Sequence, residues 1–193
     1  SCGTVGVPRT VAQIVAHPLT GYIFGAGKGD QRIFFNKETN VDRTEVNIEG
    51  GRVYGSIFGG GEDGPVFQNA IVNIGKTGEA GPTIGTTGTS YVDGNVFGGG
   101  RGFGGEALTA GNIGGSIELN IKSGKILGSV YGGGRMGSVG YGLYLVDEEI
   151  EEGGETIKRY GILRPDDQYD GSYPDPSTEP ASTYYDKGRG YIV

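Results

Sequence analysis

Short alternations of apolar and polar residues recur along this chain, each closed by an aromatic residue and a glycine-rich run. Leu19 to Gly27 reads L-T-G-Y-I-F-G-A-G and Val53 to Gly61 reads V-Y-G-S-I-F-G-G-G. Val92 to Gly100 reads V-D-G-N-V-F-G-G-G, and Ile126 to Gly134 reads I-L-G-S-V-Y-G-G-G. The aromatic residues Phe24, Phe58, Phe97 and Tyr131 are spaced 34, 39 and 34 residues apart (58−24, 97−58, 131−97). A period in this range predicts stacked repeats, each covering the apolar face of its neighbour.

Side chains alternate faces along a strand. Read as one strand, the second phrase puts Val53, Gly55 and Ile57 on one face and Tyr54, Ser56 and Phe58 on the other. The same parity in every phrase predicts that Leu19, Val53, Val92 and Ile126 occupy equivalent rungs of a shared interior. It also predicts an aromatic ladder of Phe24, Phe58, Phe97 and Tyr131, beside a file of Tyr22, Ser56, Asn95 and Ser129. The glycine runs suit sharp corners or close backbone approach. A second alternating strand precedes three phrases, at Val46-Asn47-Ile48, Val72-Asn73-Ile74 and Leu119-Asn120-Ile121. Between the second of these and the third phrase, Lys76 to Ser90 reads as an inserted Gly/Thr-rich loop.

The expected fold is all-β, a parallel β-helix or solenoid with repeats of about 34 residues. An antiparallel hairpin array is the alternative, because Ser-Gly and Gly-Gly between apolar runs are also hairpin signals. Like-on-like stacking of identical phrases favours the former. Residues 1–140 form the repeats. Residues 141–190 read as an insertion: a hairpin with arms Leu143 to Ile150 and Thr156 to Leu163, then a Tyr-, Pro- and Asp-rich surface loop. Residues 191–193 read as the start of a further repeat, and we expect the chain to be a piece of a longer or processed polypeptide.

Composition narrows the function classes. The chain has 193 residues, 42 Gly, one Cys and a formal net charge of −7. Its Lys and Arg do not cluster, so no nucleic-acid footprint is expected, and anionic membrane surfaces are poor partners. No apolar run reaches the roughly 20 residues of a membrane-spanning helix, so no direct membrane insertion is expected. A single cysteine cannot form an intrachain disulfide or a Cys-rich zinc site.

Candidate chemistry is sparse. Gly25-Ala26-Gly27-Lys28-Gly29 and Gly98-Gly99-Gly100-Arg101-Gly102 resemble phosphate cradles but lack the spacing and helix of a Walker loop. Asp166 to Gly171 resembles the start of a calcium loop, with Gln168 at its third position and Ser177 where a bidentate Glu belongs. His17 has no nucleophile placed by a motif. Glu148, Glu149, Glu151 and Glu152 read as solubilising charges on an exposed hairpin. We therefore expect no catalytic residue, cofactor or metal ligand. Tyr169, Tyr173, Tyr184 and Tyr185 are the candidate ligand or partner contacts, since exposed tyrosines present an apolar ring with a polar tip.

The run V-x-I-x-G-G-x-I-x-G-x-V-(F/Y)-G-G-G, fullest at Val46 to Gly61 and Leu119 to Gly134, resembles the glycine-rich repeats of very large surface proteins of Bacteroidota. The resemblance covers about residues 19 to 140. It implies a β-solenoid-like stalk or adhesin-type module at the cell surface or outside the cell, with no catalytic motif to transfer. The leading expectation is a noncatalytic structural or adhesion module whose partners are host or matrix glycans or proteins, with binding by the segment from Leu143 to Gly190. The alternatives are a polysaccharide-cleaving β-helix enzyme and a filament subunit that contacts itself through its ends.

Overall fold

A computed structural model describes residues 3–17, 20–29, 39, 41–102 and 111–140, and the backbone of 142–152, 155–163, 184–186 and 190–191. The chain divides into two compact units, Ser1–Val139 and Gly140–Val193. Three sheets, all parallel, build the first. One holds β1 (Thr4–Val5), β4 (Arg52–Val53), β7 (Thr83–Ile84) and β10 (Lys125–Ile126). Another holds β2 (Ile23–Phe24), β5 (Ile57–Phe58), β8 (Val96–Phe97) and β11 (Val130–Tyr131). The last holds β3 (Thr44–Ile48), β6 (Ala70–Ile74) and β9 (Ile117–Ile121). Successive repeats therefore pair in parallel, and the phrases do not form a hairpin array.

The last sheet matches the expected V-x-I elements rung for rung. Val46, Val72 and Leu119 are in register, as are Asn47, Asn73 and Asn120. The valines turn inward. The asparagines line the outer face, where Asn73 Nδ2 donates to Asn47 Oδ1 at 2.8 Å and Asn120 Nδ2 to Asn73 Oδ1 at 2.9 Å. Like-on-like stacking lets each amide donate to its identical neighbour, so a polar file satisfies itself.

The phrase itself is not one strand. It breaks into two two-residue strands in different sheets, with Tyr54-Gly55-Ser56 as the corner between β4 and β5. Both Val53 and Ile57 still point into the interior, at 3% and 0% exposure. The rung that contains Val53 is filled by Val5, Ile84 and Ile126. Leu19 lies outside the described residues, and Val92 is not on this rung. Lys76 to Ser90 is likewise not wholly a loop, because it contains β7.

Two inserts explain the mismatch. In the second and fourth repeats the corner is a tight turn, whereas in the first the chain leaves after Gly6 and returns at Gly21. In the third it leaves after Gly85 and returns at Gly94. Each pair of glycines closes the neck of its insert. All four have φ between 77° and 97°, and a Cβ on Gly94 would lie 2.6 Å from the Gly85 Cα. From Thr4 through Arg52 and Thr83 to Lys125 the steps are 48, 31 and 42 residues (52−4, 83−52, 125−83), the shortest being the one whose corner carries no insert. The aromatic rungs keep a steadier spacing because the first insert precedes Phe24 and falls outside their span, while the second lies within the longest step, the 39 residues from Phe58 to Phe97.

The first insert carries a short helix, α1 (Val11–Ala16). Thr10 and Gln13 form its capping box, each side chain accepting from the other's backbone N–H. This satisfies two orphan donors at the helix start. Sequence periodicity does not predict a helix of this length, since nothing in six residues repeats.

Val46, Val53, Ile57, Val72, Ile74, Ile84 and Val96 form the main interior cluster. Val66, Ala70 and Ile113 form a second. Outside the main cluster run the stacked rings. Phe58 and Phe97 have centroids 4.6 Å apart and planes 2° from parallel, and Phe24–Phe58 and Phe97–Tyr131 stack at 4.9 and 4.6 Å. These separations match the strand spacing, which places identical side chains one rung apart. The glycine runs serve close approach: a Cβ on Gly59 would strike the carbonyl oxygen of Gly98 and a methyl of Val72.

In the second unit, β12 (Gly142–Glu152) and β13 (Glu155–Leu163) form the expected antiparallel hairpin, with a register shift between Leu145 and Glu149. The expected irregular loop contains β14 (Tyr184–Asp186), which pairs with β13. Gly190–Tyr191 forms β15, antiparallel to β14, and the rest of the expected further repeat, 192–193, lies outside the described residues.

Two stability measurements test this packing. Phe58→Ala removes a fully buried ring stacked on both faces and should cost about 3–5 kcal/mol in urea unfolding. Gly59→Ala should lower the urea midpoint strongly, whereas Gly132→Ala, at the corresponding place in the fourth repeat with nothing within 4 Å of its Cβ position, should leave it nearly unchanged. Equal effects of the two glycine substitutions would contradict the close-approach account.

Candidate ligand cleft beside the corner inserts

The two inserts leave the stack two repeats apart and are tied together by a buried ion pair. Arg9 Nη2, in the first insert, meets Asp93 Oδ2, in the second, at 2.9 Å, with side chains 6% and 0% exposed. Arg9 Nη1 also donates to the His17 carbonyl oxygen at 2.5 Å, closing the first insert on itself. Asp93 Oδ1 accepts from Ser56 Oγ at 2.6 Å, and that oxygen accepts from the Asn95 backbone N–H at 3.0 Å. The corner of the intervening repeat thus anchors the pair. Burial of two charges is tolerated here because both are hydrogen-bonded.

Tyr22 packs into the same place. Its ring lies 5.9 Å from the Arg9 guanidinium carbon and 5.8 Å from that of Arg101, within cation–π range. Burial, and then the charge and hydrogen bond of Asp93, push its phenol pKa up to about 12. Of the expected file of Tyr22, Ser56, Asn95 and Ser129, the first three therefore form a polar seam that fastens the inserts to the stack, and Ser129 joins it through its backbone N–H on Asn95 Oδ1.

Beside this seam opens a cleft of about 560 Å³. Ile14 and Val15 of α1 contribute one part of its lining, and Tyr91 and Val92 of the second insert another. Phe97 and Tyr131 of the aromatic ladder line it as well, with Arg101 and Arg135. Tyr91 is 75% exposed and Tyr131 46%, so ring surface is open to solvent. The open lining thus sets aromatic and aliphatic surface beside two arginines.

The two arginines stand one rung apart in a ladder of isolated parallel bridges, Lys28↔Glu62, Glu62↔Arg101 and Arg101↔Arg135. Lys28 Nζ lies 3.9 Å from Glu62 Oε2. Burial raises the Glu62 pKa against the pull of Lys28 and Arg101. Burial, and then the like charge of Arg135, lower that of Arg101. The two glycine-rich segments that lack a Walker loop's context are thus rungs of a charged ladder, with Lys28 facing a carboxylate and Arg101 only 4% exposed.

The sequence-predicted contacts lie elsewhere. Tyr184 and Tyr185 sit on β14, opposite Gly161 and Tyr160. Tyr169, Tyr173 and the calcium-loop candidate Asp166 to Gly171 lie outside the described residues. His17 caps α1 through its backbone N–H. Among the described residues no group of three His, Cys, Asp or Glu is arranged to hold a metal ion. Sequence reasoning missed the cleft, yet one signal was available: Lys28, Glu62, Arg101 and Arg135 each directly succeed a glycine-run phrase.

Comparison of the chain with protein-family models, with curated proteins and with solved structures returns no match. Among the described residues no helix is long and apolar enough to cross a membrane.

The seam can be tested at both of its ionisable ends. Arg9→Met leaves Asp93 buried without its cation and should destabilise the protein by about 3–5 kcal/mol, with faster amide exchange in residues 11–16. For Tyr22 the native pKa exceeds the unfolded value of about 10, so unfolding releases a proton above that pH. Its contribution to stability should be complete below about pH 10 and lost as pH rises toward about 12. Urea midpoints across that window should decline less steeply in Tyr22→Phe than in the wild type.

Proposed function

We propose that the first unit is a parallel β-helix, a short solenoid, and that the chain is a noncatalytic structural or adhesion module of a larger cell-surface or secreted repeat protein. The observation that carries this reading is the in-register parallel pairing of like on like across three sheets. A stack of this kind is quasi-one-dimensional: each strand pairs only with those of the neighbouring repeats, and insertions leave the stack at corners without disturbing the register. It supports a rigid scaffold that displays loops. The resemblance of the V-x-I-x-G-G phrase to surface repeats of Bacteroidota supports the same assignment, and host or matrix glycans or proteins are the partners proposed for it.

The test is a glycan and matrix-protein binding screen of the intact chain, run with a reducing-end assay on the same glycans. Binding without new reducing ends is the expected result. Saturable binding that vanishes when Tyr169, Tyr173, Tyr184 and Tyr185 are all changed to Ser would place adhesion on the second unit. Release of new chain ends by purified protein would establish an enzyme and overturn the proposal.

A further inference from the structure

The cleft has the chemistry of a particular ligand class. We propose that it binds a carboxylate-bearing sugar, a uronate residue of an acidic polysaccharide, with Arg135 meeting the carboxylate and Tyr91 and Tyr131 offering their rings to the sugar. This deepens the adhesion reading by naming a ligand, and it places binding on the first unit, independently of the four tyrosines of residues 169–185.

The charged ladder provides the anion site. Strand spacing puts equivalent side chains about 4.8 Å apart, so Arg101 and Arg135 are like charges held side by side by the backbone register. Glu62 adjoins Arg101 from the preceding rung, Glu62 and Asp63 both attract its charge, and Arg101 is almost wholly buried, which leaves Arg135 as the cation offered to solvent. Arg135 is exposed, and among the described residues no carboxylate pairs with it. An anion placed at Arg135 accepts a planar, bidentate pair of hydrogen bonds, the geometry in which guanidinium recognises carboxylate.

The rest of the lining selects a sugar among carboxylates. A pyranose ring presents a C–H face and hydroxyl-bearing edges, so it needs an aromatic surface beside polar groups. Tyr131 supplies an exposed ring at the end of a stacked file, which holds its orientation through Phe97 at 4.6 Å. Tyr91 adds a second exposed ring from the insert that the Arg9–Asp93 pair fixes in place. The Asn95 side chain stands in the lining with its Oδ1 engaged by the Ser129 N–H at 2.8 Å, so its carboxamide orientation is set before any ligand arrives. Preorganised groups of this sort lose little entropy on binding. A volume of about 560 Å³ is in the range of sites for small ligands rather than extended polymers, so one short stretch of a chain would be held. The net charge of −7 disfavours a long polyanion such as nucleic acid, while leaving a single carboxylate at Arg135 favourable.

Calorimetric titration of the full chain with a short oligogalacturonate, at low ionic strength, tests this against the neutral oligogalactan of the same length. The expected result is binding of the acidic oligomer alone, weakened about tenfold or more by Arg135→Gln and also by Tyr131→Ala. Arg135→Lys should recover part of the loss, because it restores charge without the bidentate fork. Both side chains are substantially exposed, so each variant should fold, which circular dichroism is to check before titration. Equal affinity for neutral and acidic oligomers, no binding of either, or binding unchanged in Arg135→Gln overturns the proposal. So does preference for a sulfated galactan over the oligogalacturonate. Oligogalacturonate binding that survives Arg135→Gln but is lost when Tyr169, Tyr173, Tyr184 and Tyr185 are Ser would reject this cleft and leave the adhesion module standing.

Discussion

In-register parallel pairing of one repeat on the next is the constraint on which the rest of the first unit depends. It sets the spacing of every ladder: the interior valines and isoleucines, the stacked phenylalanines and the outer asparagines. It also dictates the glycines. Where Gly59 lies against the Gly98 carbonyl there is no room for a Cβ, so the tight passage between backbones is open only to the residue that lacks one. Glycine weakens an isolated strand, but here it permits the approach that lets the apolar interior close. Two-residue strands such as β5 and β8 have little stability of their own, and the buried side chains on them, Ile57, Phe58 and Val96 at 0% exposure, supply it.

The inserts exploit the points where this constraint is weakest. A corner between two sheets has no ladder to preserve. Gly6 with Gly21, and Gly85 with Gly94, let a loop leave and return at one place, so the strands beyond it continue in register. Within the inserts, electrostatics takes over from hydrophobic burial as the organising interaction. Arg9 and Asp93, 84 residues apart in sequence, meet across a whole repeat and draw the inserts together. Side chains from both inserts line the cleft, which arises because α1 and the 86–93 segment stand out from the stack where Phe97 and Tyr131 continue the aromatic file.

Much of the fold was legible from residues alone. The V-x-I elements appear in the structure rung for rung, the aromatic file stacks as its spacing implied, and the hairpin of 142–163 falls where its glycine turn and alternating arms placed it. The interior rung differs from the one the phrases imply. Leu19, Val53, Val92 and Ile126 share a position in the phrase, but the rung is Val5, Val53, Ile84 and Ile126, of which Val5, on the first strand of its sheet, is exposed. Thr4–Val5 and Thr83–Ile84 are too short to carry any periodic signal, and the phrase-like residues at 92–94 run into the corner from the other side. The candidate site escaped the sequence for a related reason. The tyrosines of 169–185 stand out because they cluster along the chain, whereas Tyr22, Tyr91, Arg101 and Tyr131 are brought together only by stacking.

The sequence by itself determined the number of phrases, the period of the aromatic file and the glycines that close approach requires, because each depends on a residue's own chemistry at a repeated offset. Only the tertiary structure decided which two-residue strands pair, where the inserts leave, and that an arginine and an aspartate on separate inserts share one buried pocket. Those outcomes turn on free energy gained from partners distant along the chain, which local pattern does not encode.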